Sequence, residues 1–167
     1  MADDIQLHGL KELQATLRQL PLRLQDRTIL AALRAAGQVI RKEAQARVPL
    51  LKQPVPHRKR GVVRKAISVR RSRLDNIKGK RSGVYIGVKP LGRKEIKGFK
   101  GGTGRNPDDP FYWIFLEFGT SKMSAKPFLR PAFEAKQFEA LRKFEEYMKA
   151  RVEKEAAKLA RQLGLAA

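Results

Sequence analysis

The sequence has no cysteine, two histidines and one tryptophan in 167 residues. Without thiols there is no disulfide framework and no thiolate metal site, which fits a reducing compartment. Histidine is the usual proton carrier near neutral pH. Here His8 stands before a helical pattern and His57 in a basic loop, far from it in the chain. Acids are scarce too, 16 against 37 basic side chains. Glu117 has no second carboxylate near it in sequence, whereas paired-carboxylate chemistry needs two. Asp108 and Asp109 read as turn residues ahead of Pro110. The run "GGTG" at 101–104 has neither the Lys-Ser/Thr nor the strand-to-helix setting of a phosphate-cradling loop. No catalytic residue, cofactor or metal site is expected, and an enzyme is disfavoured. Long apolar runs are absent as well. No segment approaches the ~18 apolar residues that span a bilayer, and the opening "MADDIQLHGL" carries two acids where a secretory signal is basic. A single domain over residues 1–167, made and used inside a cell with no membrane partner, is the expectation.

Charge is the strongest feature present. The net value is +21, and residues 41–105 hold 21 basic and three acidic side chains, +18 of that total. The two ends of the chain read as balanced helices. A segment this basic repels its own copies and attracts anions: nucleic acid, acidic protein faces or lipid headgroups. Charge runs are often merely solvated surface. This one is concentrated enough to favour an anionic partner for Arg58, Lys59, Arg60, Arg64, Lys65, Arg70, Arg71 and Arg73. No zinc-finger or RNP-type aromatic pattern names a nucleic-acid module.

Leu10, Leu13, Leu17 and Leu20 form one helical stripe, which predicts a helix over 9–20 ended by Pro21. A second helix is predicted over 24–47, with Ile29, Leu33, Ala36 and Ile40 on one face and Pro49 closing it. The two are expected to be antiparallel. Residues 49–61 read as a loop. In "VVRKAISVRRSR", Ile67, Val69 and Val63 would share a face if the segment were extended. "SGVYIGVKP" at 82–90 is a clearer strand, expected to pair with it. Residues 91–110 are glycine-rich and basic, and read as a mobile loop. A last helix is predicted from Pro131, with Phe133, Phe138 (or Gln137), Leu141, Phe144, Met148 and Val152 on its stripe.

The most informative block is "FYWIFLEFGTSKMSAKPFLRPAFE". Glu117 lies in an apolar run, where an unpaired carboxylate is costly, and the Arg130 side chain is its candidate partner. Gly119 permits a turn with positive φ. Pro127 and Pro131 would hold Phe128-Leu129-Arg130 extended and ready to dock. The block reads either as core around a tight turn or as core with a subunit-contacting edge.

Together with "GLKELQATLRQLP", "ALRAAGQVIRKEAQARVP" and "RGVVRKAI", this block resembles the tail-completion, or head–tail joining, proteins of long-tailed bacteriophages and prophages. The likeness runs almost end to end. Lys59-Arg60 stands where Thr-Gly is usual, Ala66 where Ser is common, and 91–110 looks like an insertion. The resemblance implies an α+β subunit: two N-terminal helices and a long C-terminal helix on a small, mainly antiparallel sheet, with a long basic loop. It also implies a structural virion protein of the neck, assembled in the host cytoplasm. There it would form a ring, hexameric or larger, between head-connector and tail-tube or terminator proteins. Glu117, Phe118, Gly119, Thr120, Pro127, Phe128, Leu129, Arg130 and Pro131 are its signature and subunit-contact candidates. Weak, sequence-independent contact with phage DNA is a secondary expectation for the arginines. The rival is a free-standing basic module that binds nucleic acid.

Overall fold

The computed structural model describes residue 18 and residues 22–52, 58–72, 83–92 and 106–162. The predicted helix over 9–20, apart from residue 18, lies outside these, as do Arg73 and residues 93–105 of the basic loop. Six elements follow one another in the described residues. They are helix α1 (Leu22–Arg47), short helix α2 (Val62–Ala66), strands β1 (Ile67–Arg71) and β2 (Val84–Val88), short helix α3 (Trp113–Phe118) and long helix α4 (Leu129–Gln162). The class is α+β, with a long C-terminal helix and a two-stranded antiparallel sheet.

The segment expected to be extended from Val63 divides in two. Val62–Ala66 is helical, and only from Ile67 does the chain become a strand. Arg64, Lys65 and Ala66 are good helix formers, whereas Ile67 and Val69 suit a pleated surface. Val63 still reaches the core, because four residues of helix place it on the side of Ile67; both are almost fully buried. The register pairs Ile67 with Val88 and Val69 with Ile86, so the apolar residues of both strands share one face. Ser68, Arg70 and Tyr85 occupy the other. The ladder continues past both strand ends through Lys89 N–H to Ala66 O and Ser72 N–H to Gly83 O.

That apolar face lies on α1 at Gly37. A Cβ there would stand 2.8 Å from Val69 Cγ1, so only a glycine lets the strand come this close. Arg41, one turn along, donates from Nε to Ile67 O at 2.9 Å and fixes the same junction.

Helices α1 and α4 run antiparallel: Ile40, Ala44 and Val48 meet Ala132 and Ala140, while Ala32 meets Met148 and Val152. The contact is built on alanines, which let two helices approach closely and interdigitate their larger neighbours. This corrects the expected α4 stripe. Phe133 and Phe138 are about half exposed, at 51% and 49%, and Ala132 and Ala140 face the core in their place. Met148 and Val152 are buried as their spacing predicts. The main core gathers both helices, Val63, Ile67, Val88, Tyr112 and the fully buried Phe128.

Candidate functional site

The apolar run at 113–118 forms helix α3, and its placement determines what Glu117 can do. Half-buried Trp113 and Leu116 pack on the core. Glu117, on the inner side, is 8% exposed. Its Oε2 accepts the backbone N–H groups of Phe128 at 2.9 Å and Leu129 at 3.0 Å, and its Oε1 accepts that of Arg130 at 3.2 Å. These amides stand at the start of α4, where the first N–H groups have no acceptor within the helix. The next residue, Pro131, has no N–H at all, so the first turn leaves no further orphan there. A carboxylate is well suited to this position. It faces the positive end of the helix dipole and makes charge-assisted bonds.

Two sequence expectations are corrected here. Glu117 is satisfied by the main chain of Arg130 and its two predecessors, not by the Arg130 guanidinium. The donors of a helix N-terminus converge on one point, which a distant side chain cannot match without ordering cost. Phe128-Leu129-Arg130 is also not an extended docking strip. α4 begins at Leu129, two residues before Pro131, and Phe128 is buried beneath it.

Gly119 ends α3 with φ 77° and ψ −176°, a combination essentially confined to glycine. Any Cβ would lie 2.9 Å from both Met123 O and Ala125 N. Thr120 and Met123 exchange backbone bonds at 2.9 and 3.2 Å, and Lys126 N–H reaches Leu116 O at 2.7 Å. The chain thus leaves α3, turns back and delivers Phe128 to Glu117. Residues 120–127, Thr120 and Pro127 included, are exposed. Beside this turn α3 presents Ile114, Phe115 and Phe118 to solvent, the last 65% exposed. In the turn itself Met123 is also exposed.

The basic residues lie on several surfaces. The Arg58 guanidinium sits 5.1 Å from the Tyr112 ring centroid, and Arg70 sits 4.9 Å from that of Tyr85. Burial pushes the Tyr112 phenol above its usual pKa, partly offset by the Arg58 charge. Lys59 pairs with Asp108 at 2.7 Å. Arg64 and Lys65 are exposed on α2, and Arg71 is exposed at the end of β1. The fold brings Lys59, Arg60 and Lys65 together around one cavity and adds Arg41, Ser68 and Lys89, which sequence reasoning missed. No spacing in the sequence could announce that group, because it is contributed by separate elements. Among the described residues no cluster of histidines and acids could hold a metal ion, and no helix is long and apolar enough to cross a membrane.

A family model described as "Bacteriophage HK97-gp10, putative tail-component" matches residues 11–119. The chain belongs to this family of phage tail components. The match ends at Gly119, so it takes in α1, the sheet and α3 with Glu117, and leaves out the turn and α4. No curated protein and no solved structure matches the chain. A tail component is a structural part of a virion and works in contact with other phage structural proteins. In this tail component, the charged group Glu117 belongs to the matched region, while the amides it holds lie beyond it.

Proposed function

We propose that this tail component is a neck subunit. A ring of its copies, hexameric or larger, joins the head connector to the tail-tube or terminator proteins, after assembly in the host cytoplasm. One observation carries the reading: the exposed apolar face of α3, with Phe118 outermost, held rigidly by the Glu117 bonds to α4. Large apolar side chains grouped on a surface favour burial against another protein. An element fixed at both ends loses little entropy when it is covered. Glu117, Gly119 and Phe128 set the geometry, and Phe118 with its neighbours supplies contact area. The role is structural, with no reaction. Residues 1–167 act in it as one domain.

The basic module rival receives less support. Arg58 and Arg70 lie over aromatic rings and Lys59 holds Asp108, so these side chains have partners within the chain. Weak contact of the remaining cations with the DNA passing through the neck is a secondary role.

The test is a virion in which the wild-type subunit is replaced by Phe118→Glu. The expected result is separate filled heads and finished tails, with the purified variant melting as the wild type does. Electron cryomicroscopy of wild-type particles should place the chain in a ring at the head–tail junction. Normal joining by Phe118→Glu would remove α3 from the interface, and density elsewhere in the tail would remove the neck assignment.

A further inference from the structure

The cavity noted above has a volume of about 400 Å³. It opens between the C-terminal half of α1, the α2–β1 junction, the residues after β2 and the segment around Asp108. Arg41, Lys59, Arg60, Lys65 and Lys89 surround it, with Asp108 the one acid on its wall among the described residues. Lys59 takes the Asp108 carboxylate. Arg60, Lys65 and Lys89 are exposed, and their side chains make no ion pair among the described residues. Arg41 is anchored by its bonds to Ile67 O and Gln38 Oε1, so its charge is fixed in place. Ser68 also lines the cavity, and its hydroxyl is buried with no hydrogen-bond partner.

We propose that this cavity is a receptor for an acidic peptide segment of an adjoining virion protein. One of the segment's carboxylates would sit among Arg60, Lys65 and Lys89. The inference rests on the reading of the chain as an assembling subunit, and names a partner chemistry for a second surface, away from α3.

The walls decide between protein and nucleic acid. Between the cations lie Val62, Ala66, Ile67, Pro90, Leu91 and Pro110. An acidic side chain carried on a methylene stem, with aliphatic neighbours, matches charge at the rim and apolar surface within. A duplex offers phosphates along a rod, and binds cations set out in a stripe rather than around a recess. A second copy of this chain is a poor source of the acid. Its net charge is +21, so a second copy is repelled by this basic recess, and three of the six acids on α4, Glu139, Glu146 and Glu155, are already held by neighbouring Lys or Arg side chains. The partner is therefore a different, more acidic protein.

The experiment uses the full chain and the variant Lys65→Glu/Lys89→Glu, both positions being exposed and their side chains free of tertiary bonds among the described residues. The probes are an eight-residue peptide alternating Glu and Leu, its Gln/Leu counterpart, and a 20-base-pair duplex. Nitrogen-15 NMR should show the Glu/Leu peptide shifting the amides of Arg60, Ser68 and Lys89. Its affinity should fall at least tenfold in the variant, and the Gln/Leu peptide should leave the spectrum unchanged. Equal binding of the acidic peptide to both proteins overturns the proposal. So does duplex that shifts the same amides and displaces the peptide. In phage, the double variant should join heads to tails poorly, and plaque-forming revertants should carry an Asp or Glu changed to Lys in another virion protein. Wild-type plating by the double variant refutes the docking role. The NMR result does not depend on where the subunit sits in the particle, so it can fail while the neck assignment stands, and the reverse.

Discussion

Removing the Glu117 carboxylate would withdraw the acceptors of three backbone donors at once. Phe128 N–H is buried, while those of Leu129 and Arg130 are partly so. A hydrogen bond to a charged group contributes about 1.5–3 kcal/mol, and a buried donor left alone costs about 1–3 kcal/mol. Water can reach the two outer amides, so Glu117→Ala should cost about 3–5 kcal/mol rather than the full sum. For a chain of this size each kcal/mol moves the melting temperature by about 2–4 °C, giving a fall of about 6–20 °C. Glu117→Gln separates hydrogen bonding from charge. Its amide oxygen can replace Oε2 and keep the Phe128 and Leu129 bonds, but its NH₂ then faces the Arg130 N–H. The expected cost is about 1–2 kcal/mol, from one lost bond and the lost favourable charge at the helix terminus. Arg130→Ala should change little, because its backbone N–H stays. Thermal and urea unfolding followed by circular dichroism would give the order wild type, Arg130→Ala, Glu117→Gln, Glu117→Ala. Hydrogen exchange at 128–130 should quicken in the same order. An Arg130→Ala variant as unstable as Glu117→Ala would show that the guanidinium is the true partner, and the reasoning would fail.

Gly119→Ala should destabilise by about 1–3 kcal/mol through backbone strain, with more from the two close contacts, and an unchanged melt would refute the turn geometry. Gly37→Val should lower stability by about 1–3 kcal/mol by forcing β1 off α1, visible as lost near-ultraviolet signal and a lower melting temperature. Because the folded Tyr112 pKa lies above its unfolded value, its contribution is complete below about pH 10 and lost as pH rises through the folded pKa. Tyr112→Phe should therefore flatten the fall in stability above about pH 10, measured by urea midpoints across that range. Isolated protein should sediment as a monomer at low salt, since its +18 segment is screened only over about 10 Å at 0.1 M; a stable ring without partners would place those charges apart.

Periodicity alone was enough for the extent of α1 and the burial of Ile40 on it, for β2 and for the inner positions Met148 and Val152 of α4. These are long or strictly alternating patterns whose burial follows from spacing. It failed at Phe133 and Phe138. Hydrophobicity suggests what prefers burial, but the close α1–α4 approach admits only alanine, so the larger side chains were displaced outward. It failed again at Val63, where a helical turn and a strand both bring the residue to the core. Glu117 was recognisable as a buried acid in need of a partner. Its actual partners were hidden because backbone amides carry no letter in a sequence. The cavity of Arg41, Ser68 and Lys89 was invisible for a related reason, since it exists only once four separate parts of the chain meet.

An acid that binds amides is indifferent to the identity of the residues that own them. So far as Glu117 is concerned, Leu129 and Arg130 could be almost any residue with an N–H, provided the chain returns after the same number of positions. Between the two ends of that return, residues 120–127 face solvent, and beyond Gly119 the contacts described are largely main chain to main chain. Length and the glycine are therefore fixed, while the wording of the loop is free. Such an arrangement lets related phages rewrite the tip of the subunit to suit a changed neighbour without unsettling the helices that carry it.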